Sequence, residues 1–244
     1  MYPILVAAGV AAGITGSVAG LASLVSYPVL LALGLPPVAA NVANTVALVF
    51  GGVGSVSGSR VELAGQARSI RPLALATVGG GIMGGLLLMV APAASFEYVV
   101  PWLIAGASGA ILLPRRPRRA APGRFDQPVL LAVTAIIGVY GGYFGAASGV
   151  LLLSLLLATT DESLARISAA RNLLLALANA FASLVFVFFG SVRWLVALPL
   201  GLGFLIGGRL GPIIVRKAPP ARLRMLIALA GIGLAIDLGW HAYR

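Results

Sequence analysis

The stretch from Gly9 to Leu33, GVAAGITGSVAGLASLVSYPVLLAL, decides how this chain is read. It carries no charge. With its flanks it runs for roughly 30 apolar or small residues, and an unbroken helix of that length would be ~45 Å long against a hydrocarbon core of ~30 Å. Glycines at Gly9, Gly13, Gly16 and Gly20 soften it, and Pro28 interrupts it. It is too long for one upright span and too short for two. A second stretch of this kind runs from Val129 to Ala158, centred on GVYGGYFGAASGVLLL. Both read as interrupted helices whose breaks lie near mid-membrane.

Composition places the whole chain in a bilayer. Hydrophobic residues make up 60% of the 244 and charged residues 9%. A soluble domain carries about 25% charged residues, and with so few a water-facing surface could not be covered. The net charge of +11 does not signal nucleic acid. The basic residues sit in short loops between apolar segments, which is the pattern of charges that set membrane topology. No cysteine is present, so disulfides, thiolate metal sites and cysteine nucleophiles are excluded. The start, MYPILVAAG, lacks the basic region of a cleaved signal peptide.

Between the long stretches lie ordinary spans. The turn Gly34-Leu35-Pro36-Pro37 opens a span from Val38 to about Gly58. A polar loop, 59–72, carries Arg60, Glu62, Arg68 and Arg71, and spans follow at 73–90 and 99–113. The linker PRRPRRAAPGRFDQP, 114–128, holds five arginines and separates an N-terminal membrane repeat, 1–113, from a C-terminal one, 129–244. In the second half, Thr159-Thr160-Asp161-Glu162 precedes a span at 164–189, with Thr160 or Asp161 as its N-cap. Further spans run 195–215 and 225–240, joined by the basic loop 216–224. The halves repeat at a shift of about 126 residues, and GGGIMGG of the first finds its counterpart in GFLIGGRLG of the second. Internal duplication is a common plan for transporters.

Charge tests the topology. If both long stretches cross once, giving eight spans, basic loops fall on both sides and the positive-inside rule is violated. If each enters and returns to its own side, fifteen basic residues share one face and only Arg193 and Arg244 lie opposite. The fold class that follows is all-α and polytopic. It has two inverted repeats, each a re-entrant hairpin plus three transmembrane helices. Its setting is the cell membrane, with the linker cytoplasmic and both termini outside.

Non-helical backbone at membrane depth must be buried in protein or line a wet cavity. The second arms of the two hairpins would begin around Ala22-Ser23 and Ser148-Gly149. Helix N-termini present unpaired N–H groups and the positive end of a dipole. Gly20, Ala22, Gly145 and Gly149 would let an oxyanion approach, and Ser23 and Ser148 would add hydroxyls. The competing reading is that small residues only permit close helix packing. Asn41, Asn44 and Thr45, matched in the second half by Arg171 and Asn172, are either donors to a polar substrate or interhelical ties. Asn179 lies two turns deeper, and Arg171 also reads as an interfacial topology charge. Asp237, near His241, is an interfacial residue or part of a proton relay. No catalytic residue, cofactor or metal site is indicated. Ser148 in GAASG has no base positioned for it, and no phosphate-binding loop is present. The partners expected are a small anionic substrate and the lipid bilayer, not nucleic acid, and the oligomeric state is not legible.

The motifs also resemble a known family. Pro28-Val29-Leu30-Leu31-Ala32-Leu33-Gly34-Leu35-Pro36-Pro37, followed by Ala40 and Asn44-Thr45, is similar to the TauE/SafE sulfite and organosulfonate exporters. The second-half counterparts are GGYFGAASGVLLL, ISAARNLLLALANA and GSVRW. The resemblance covers nearly the whole chain. It implies a multi-pass permease for small sulfur-containing or organic anions, working by alternating access around a midplane site. The family's glycine-rich motif falls on Ala19 to Ser23 and on Gly145 to Gly149. Its Thr/Ser position falls on Thr45, with Asn172 as the second-half match. Ala19, Leu21, Ala22 and Ser23 stand where several glycines are usual, and Ala146, Ala147 and Ser148 thin the second copy. Ser154 replaces the second-half proline. These departures fall on the cavity lining and weaken the inference of substrate more than that of fold. Two further readings stand beside it: a drug/metabolite-type exporter with a larger, more aromatic cavity, and a non-transporting membrane scaffold.

Overall fold

A computed structural model describes residues 1–92, 126–146 and 148–215, with scattered positions 95, 96, 98, 99, 101, 102, 105, 232, 233, 236 and 240. The linker at 114–125, Glu97, the loop at 216–224, Asp237, His241 and most of the spans at 99–113 and 225–240 lie outside the described residues. Secondary structure among the described residues is helical: α1 (Tyr2–Ala19), α2 (Ala22–Ala32), α3 (Pro37–Gly58), α4 (Arg60–Leu63), α5 (Ala67–Val90), α6 (Gln127–Tyr143), α7 (Ser148–Thr159), α8 (Leu164–Phe189) and α9 (Trp194–Val215). Five of these, α1, α3, α5, α8 and α9, are long and apolar enough to cross a membrane. The protein is an all-helical, polytopic membrane protein.

Each long stretch is broken. Gly20, at φ 78°, ends α1 in the left-handed region, where a Cβ would be strained, and α2 starts two residues later. The chain folds back there. A Cβ added to Gly16 would lie 2.7 Å from the Cβ of Ala22, whereas residues six apart in a straight helix are separated by ~9 Å of rise. Gly145, at φ 75°, occupies the same place between α6 and α7. The arms are unequal. α1 and α6 have 18 and 17 residues, against 11 and 12 in α2 and α7. The outer arms are therefore ~26 Å long, more than half the hydrocarbon core. Only the return arms have the half-membrane length expected of both.

Two boundaries differ from the sequence reading. The segment 59–72, read as a loop, is largely helical. α4 stops before Gly65, at φ 78°, and α5 is under way by Ala67. Arg68 and Arg71 look like loop charges, but arginine is a good helix former and here supplies the first turns of a span. The N-cap of α8 is Ser163, whose hydroxyl accepts from the Arg166 N–H at 3.4 Å, and not Thr160 or Asp161. Thr160 instead donates back to the Leu156 carbonyl at 2.9 Å. Glu162 pairs with Arg166 at 2.7 Å.

Glycine faces fix how the long helices pack. On α9, Gly203 and Gly207 rest on the α1 backbone, and Gly208 on the α3 backbone at Gly51. On α5, Gly80 and Gly84 rest on α6, while Gly81 and Gly85 rest on Ala178 and Ala182 of α8. Each of these helices is wedged between a hairpin's outer arm and the span that follows that hairpin. The helices swap halves: α9 serves the first hairpin and α5 the second.

The order of contacts gives direction. Along α9, Leu200, Phe204 and Gly211 meet Gly9, Gly13 and Ser17, so α1 runs parallel to it. α3 does the same, with Phe50 at Gly201, Gly54 at Leu205 and Gly58 at Pro212. α5, α6 and α8 form a second parallel set. Between the sets, Gly52 meets Ala176 while Ser59 and Glu62 lie near Ser168 and Ala165. α3 and α8 are therefore antiparallel.

The glycine faces can be tested by contrast. A Cβ at Gly84 would overlap the Val139 carbonyl oxygen, whereas Gly79 faces open space. Gly84→Val should destabilise the fold by about 2–3 kcal/mol through overpacking, seen as a lower thermal unfolding midpoint in detergent. Gly79→Ala should leave that midpoint unchanged or slightly raised.

Candidate functional site

The two breaks meet head-on. A Cβ built on Gly20 would come within 2.6 Å of the Gly149 backbone, and one on Gly149 within 2.6 Å of Gly20 Cα. Beside this contact lies a small, open-mouthed cavity of about 60 Å³. Gly13, Gly16, Ser17 and Gly20 line it from α1 and the first break, and Ala22 and Ser23 from the start of α2. Gly145, Ser148 and Gly149 line it from the second break. Leu48, Gly51, Gly52 and Ser55 of α3 face Asn172, Leu175, Ala176 and Asn179 of α8 across it, and Phe204 of α9 closes one side. Among the described residues, none that lines it carries a charge.

Seven of the eleven residues singled out from sequence wall this cavity: Gly20, Ala22, Ser23, Gly145, Ser148, Gly149 and Asn172. The other four stand behind it. Asn44 is fully buried; its Nδ2 donates to Ser23 Oγ at 3.0 Å, and its Oδ1 accepts from Ser26 Oγ. Thr45 donates to the Asn41 carbonyl at 2.9 Å. Asn41 Nδ2 donates to the Tyr143 carbonyl at 2.8 Å, at the broken end of α6. Arg171, 0% exposed, donates to the Gly16 carbonyl at 3.3 Å and to the Ser17 carbonyl, at the broken end of α1. It also donates to Asn172 Oδ1, from Nε at 3.1 Å and from Nη2 at 2.7 Å. Arg171 is thus not an interfacial charge; it lies inside the bundle.

Hydrogen bonding sets the polarity that the cavity meets. Ser23 Oγ accepts from Asn44, so its proton is free to donate inward. Asn172 Oδ1 is engaged by Arg171, so its N–H₂ is what remains for the cavity. α2 begins at Leu21 with no side-chain cap, leaving first-turn N–H groups to their surroundings. Other hydroxyls are turned away: Ser17 donates to the Gly208 carbonyl at 3.2 Å, Ser55 to Gly52 at 3.1 Å, and Ser148 to Gly145 at 2.9 Å. The arrangement offers a small solute N–H and O–H donors together with the positive end of a helix dipole.

Ser17, Ser55 and Phe204 were absent from the sequence reading, and Asn179 was noted only as a polar residue at depth. A signal existed for some of them. Asn172, Leu175, Ala176 and Asn179 follow the i, i+3, i+4, i+7 spacing of one helix face, as do Leu48, Gly51, Gly52 and Ser55. Gly13, Gly16, Ser17 and Gly20 share that spacing too; Phe204 had no such signal, since its approach depends on α9 packing against α1 from the far end of the chain.

A bundle of apolar helices around a cavity with a few polar groups in its wall, where two broken helices meet, fits a membrane transporter. The family model described as sulfite exporter TauE/SafE matches residues 5–238, and the chain belongs to that family. "Probable membrane transporter protein ORF9" of Sinorhizobium sp is 28% identical over 93% of this chain and 88% of its own length. "Probable membrane transporter protein YfcA" of Escherichia coli K12 is 24% identical over 95% and 87%. A "Probable membrane transporter protein" of Haemophilus influenzae is 23% identical over 100% and 98%. No solved structure matches the chain.

The network behind the cavity has a measurable weight. Asn44→Ala leaves Ser23 and Ser26 without their shared partner and should cost about 1–3 kcal/mol. Thermal unfolding in detergent checks it.

Proposed function

We propose that the protein is a secondary permease for small anions such as sulfite, organosulfonates and related organic anions. The observation that carries this reading is the donor set at the meeting of the breaks: Ser23 Oγ–H, the Asn172 N–H₂ and the uncapped start of α2. Such donors stabilise an oxyanion without a charged side chain in direct contact. The name of the family supports the sulfur-containing class. With Phe204 the single aromatic side chain among the described lining residues, a large aromatic drug fits less well than a compact anion.

The mechanism we infer is alternating access. Two opposed sets of parallel helices support two inverted repeats, 1–113 and 129–244, whose breaks at Gly20 and Gly145 lie 125 residues apart. The outer arms differ by one residue in length and the breaks that follow them meet, Gly20 against Gly149, which supports a site near the bilayer midplane. Rocking of one repeat against the other would open the cavity first to one side and then to the other. In this scheme Gly20, Ala22, Gly145 and Gly149 permit close approach, Ser23 and Asn172 contact the anion, Ser148 shapes the cavity wall, and Asn41, Asn44 and Thr45 hold the frame. The charge distribution supports a cell-membrane protein with its linker in the cytoplasm and both termini outside.

Reconstitution into proteoliposomes tests the reading. Wild-type protein should show saturable counterflow of labelled sulfite, competed by short-chain sulfonates. Ser148→Leu places a branched side chain in the cavity and should reduce flux to background while membrane insertion and the unfolding midpoint stay normal. Undiminished counterflow by that variant would displace the site, and no saturable movement of any small anion by wild type would favour a scaffold.

A further inference from the structure

We propose that Arg171 determines the cavity's preference for anions, acting through Asn172 and the end of α1 without touching the substrate. The inference rests on the permease reading above and assigns its specificity to one residue. Arg171 is wholly buried, seven residues into α8, and its partners belong to two different elements. On one side it holds the Gly16 and Ser17 carbonyls of α1, and on the other it forks onto Asn172 Oδ1 through Nε and Nη2.

Both contacts act on the sign of the cavity. Guanidinium has only donors, so the end of the Asn172 carboxamide nearest to it must be oxygen. The N–H₂ is thereby turned the other way, and Asn172 lines the cavity. Without the fork the amide is free to turn over and present an acceptor, which repels an oxyanion. The second contact concerns the broken end of α1. A helix C-terminus carries roughly half a negative charge, and Gly16, Ser17 and Gly20 at this end are themselves cavity wall. A guanidinium on those carbonyls offsets that charge. The corresponding end of α6 is met differently: the neutral amide of Asn41 donates to the Tyr143 carbonyl at 2.8 Å. Carbonyl capping alone therefore does not require a cation. The cation at α1 offsets the negative end of its helix as a neutral amide would not.

A structural cap and a specificity residue predict different results. Methanesulfonate and dimethyl sulfone are nearly the same shape, one an anion and the other neutral, so the ratio of their affinities reads charge preference alone. It is measured by calorimetric titration of the full-length protein in detergent, with the unfolding midpoint alongside. Arg171→Gln should lower the methanesulfonate to dimethyl sulfone affinity ratio by at least about tenfold, mainly through the anion. Arg171→Lys keeps the charge but cannot fork across Asn172, so it should lower the ratio by less, and it supplies the reading if Arg171→Gln does not fold. Loss of affinity for both probes in equal proportion, or an unchanged ratio in a folded variant, would mean that Arg171 is only a cap. In that case the permease reading stands without it. Failure of the wild-type protein to bind methanesulfonate or sulfite would overturn the reading and the inference together.

Discussion

Close approach of helix backbones is the constraint on which the rest of this structure depends. Inside a bilayer the hydrophobic effect does not drive helices together, because lipid tails are as apolar as leucine. Contact must come from dispersion and from backbones near enough to interact directly. The glycines of α5 and α9 make that contact on two faces at once. Gly80 and Gly84 point one way while Gly81 and Gly85 point another, so a single span clasps both an outer hairpin arm and the span after it. A side chain on either face would push these backbones apart, and the breaks would no longer meet.

Meeting is what makes the breaks tolerable. A helix interrupted within a membrane leaves carbonyls and N–H groups that lipid cannot satisfy. Here the carbonyl end of each outer arm is satisfied by the opposite half, the end of α1 by Arg171 of α8 and that of α6 by Asn41 of α3. The N–H end of α2 is left without a side-chain cap beside a cavity. Backbone carbonyls at the two broken ends are thus taken up by side chains, while the first N–H groups of α2 have no side-chain cap.

Polar residues in the bundle divide into two layers. Asn44, Thr45, Asn41 and Arg171 spend their hydrogen bonds on backbone and on other side chains. Ser23 and Asn172 are held by that layer and face the cavity. The sequence reading weighed substrate contact against interhelical tie as alternatives for this group of residues as a whole. In the folded chain Arg171 ties elements together while Asn172 lines the cavity, although they are adjacent in sequence. Successive residues on a helix point about 100° apart, so adjacency along the chain says nothing about sharing a face.

What the sequence by itself determined was the class. Sixty per cent hydrophobic residues, two glycine-rich stretches of the wrong length for a span, and a duplicated order of segments sufficed for a polytopic bundle with broken helices. They also located the breaks to within a few residues, because glycine at 20 and at 145 is the local requirement of a left-handed turn. Tertiary structure alone decided three things: the exchange of α5 and α9 between the halves, the burial of Arg171, and the arrival of Phe204 at the cavity. Each depends on contacts between segments far apart in the chain. Local periodicity records which face of a helix is apolar or small, but not which other helix that face will meet.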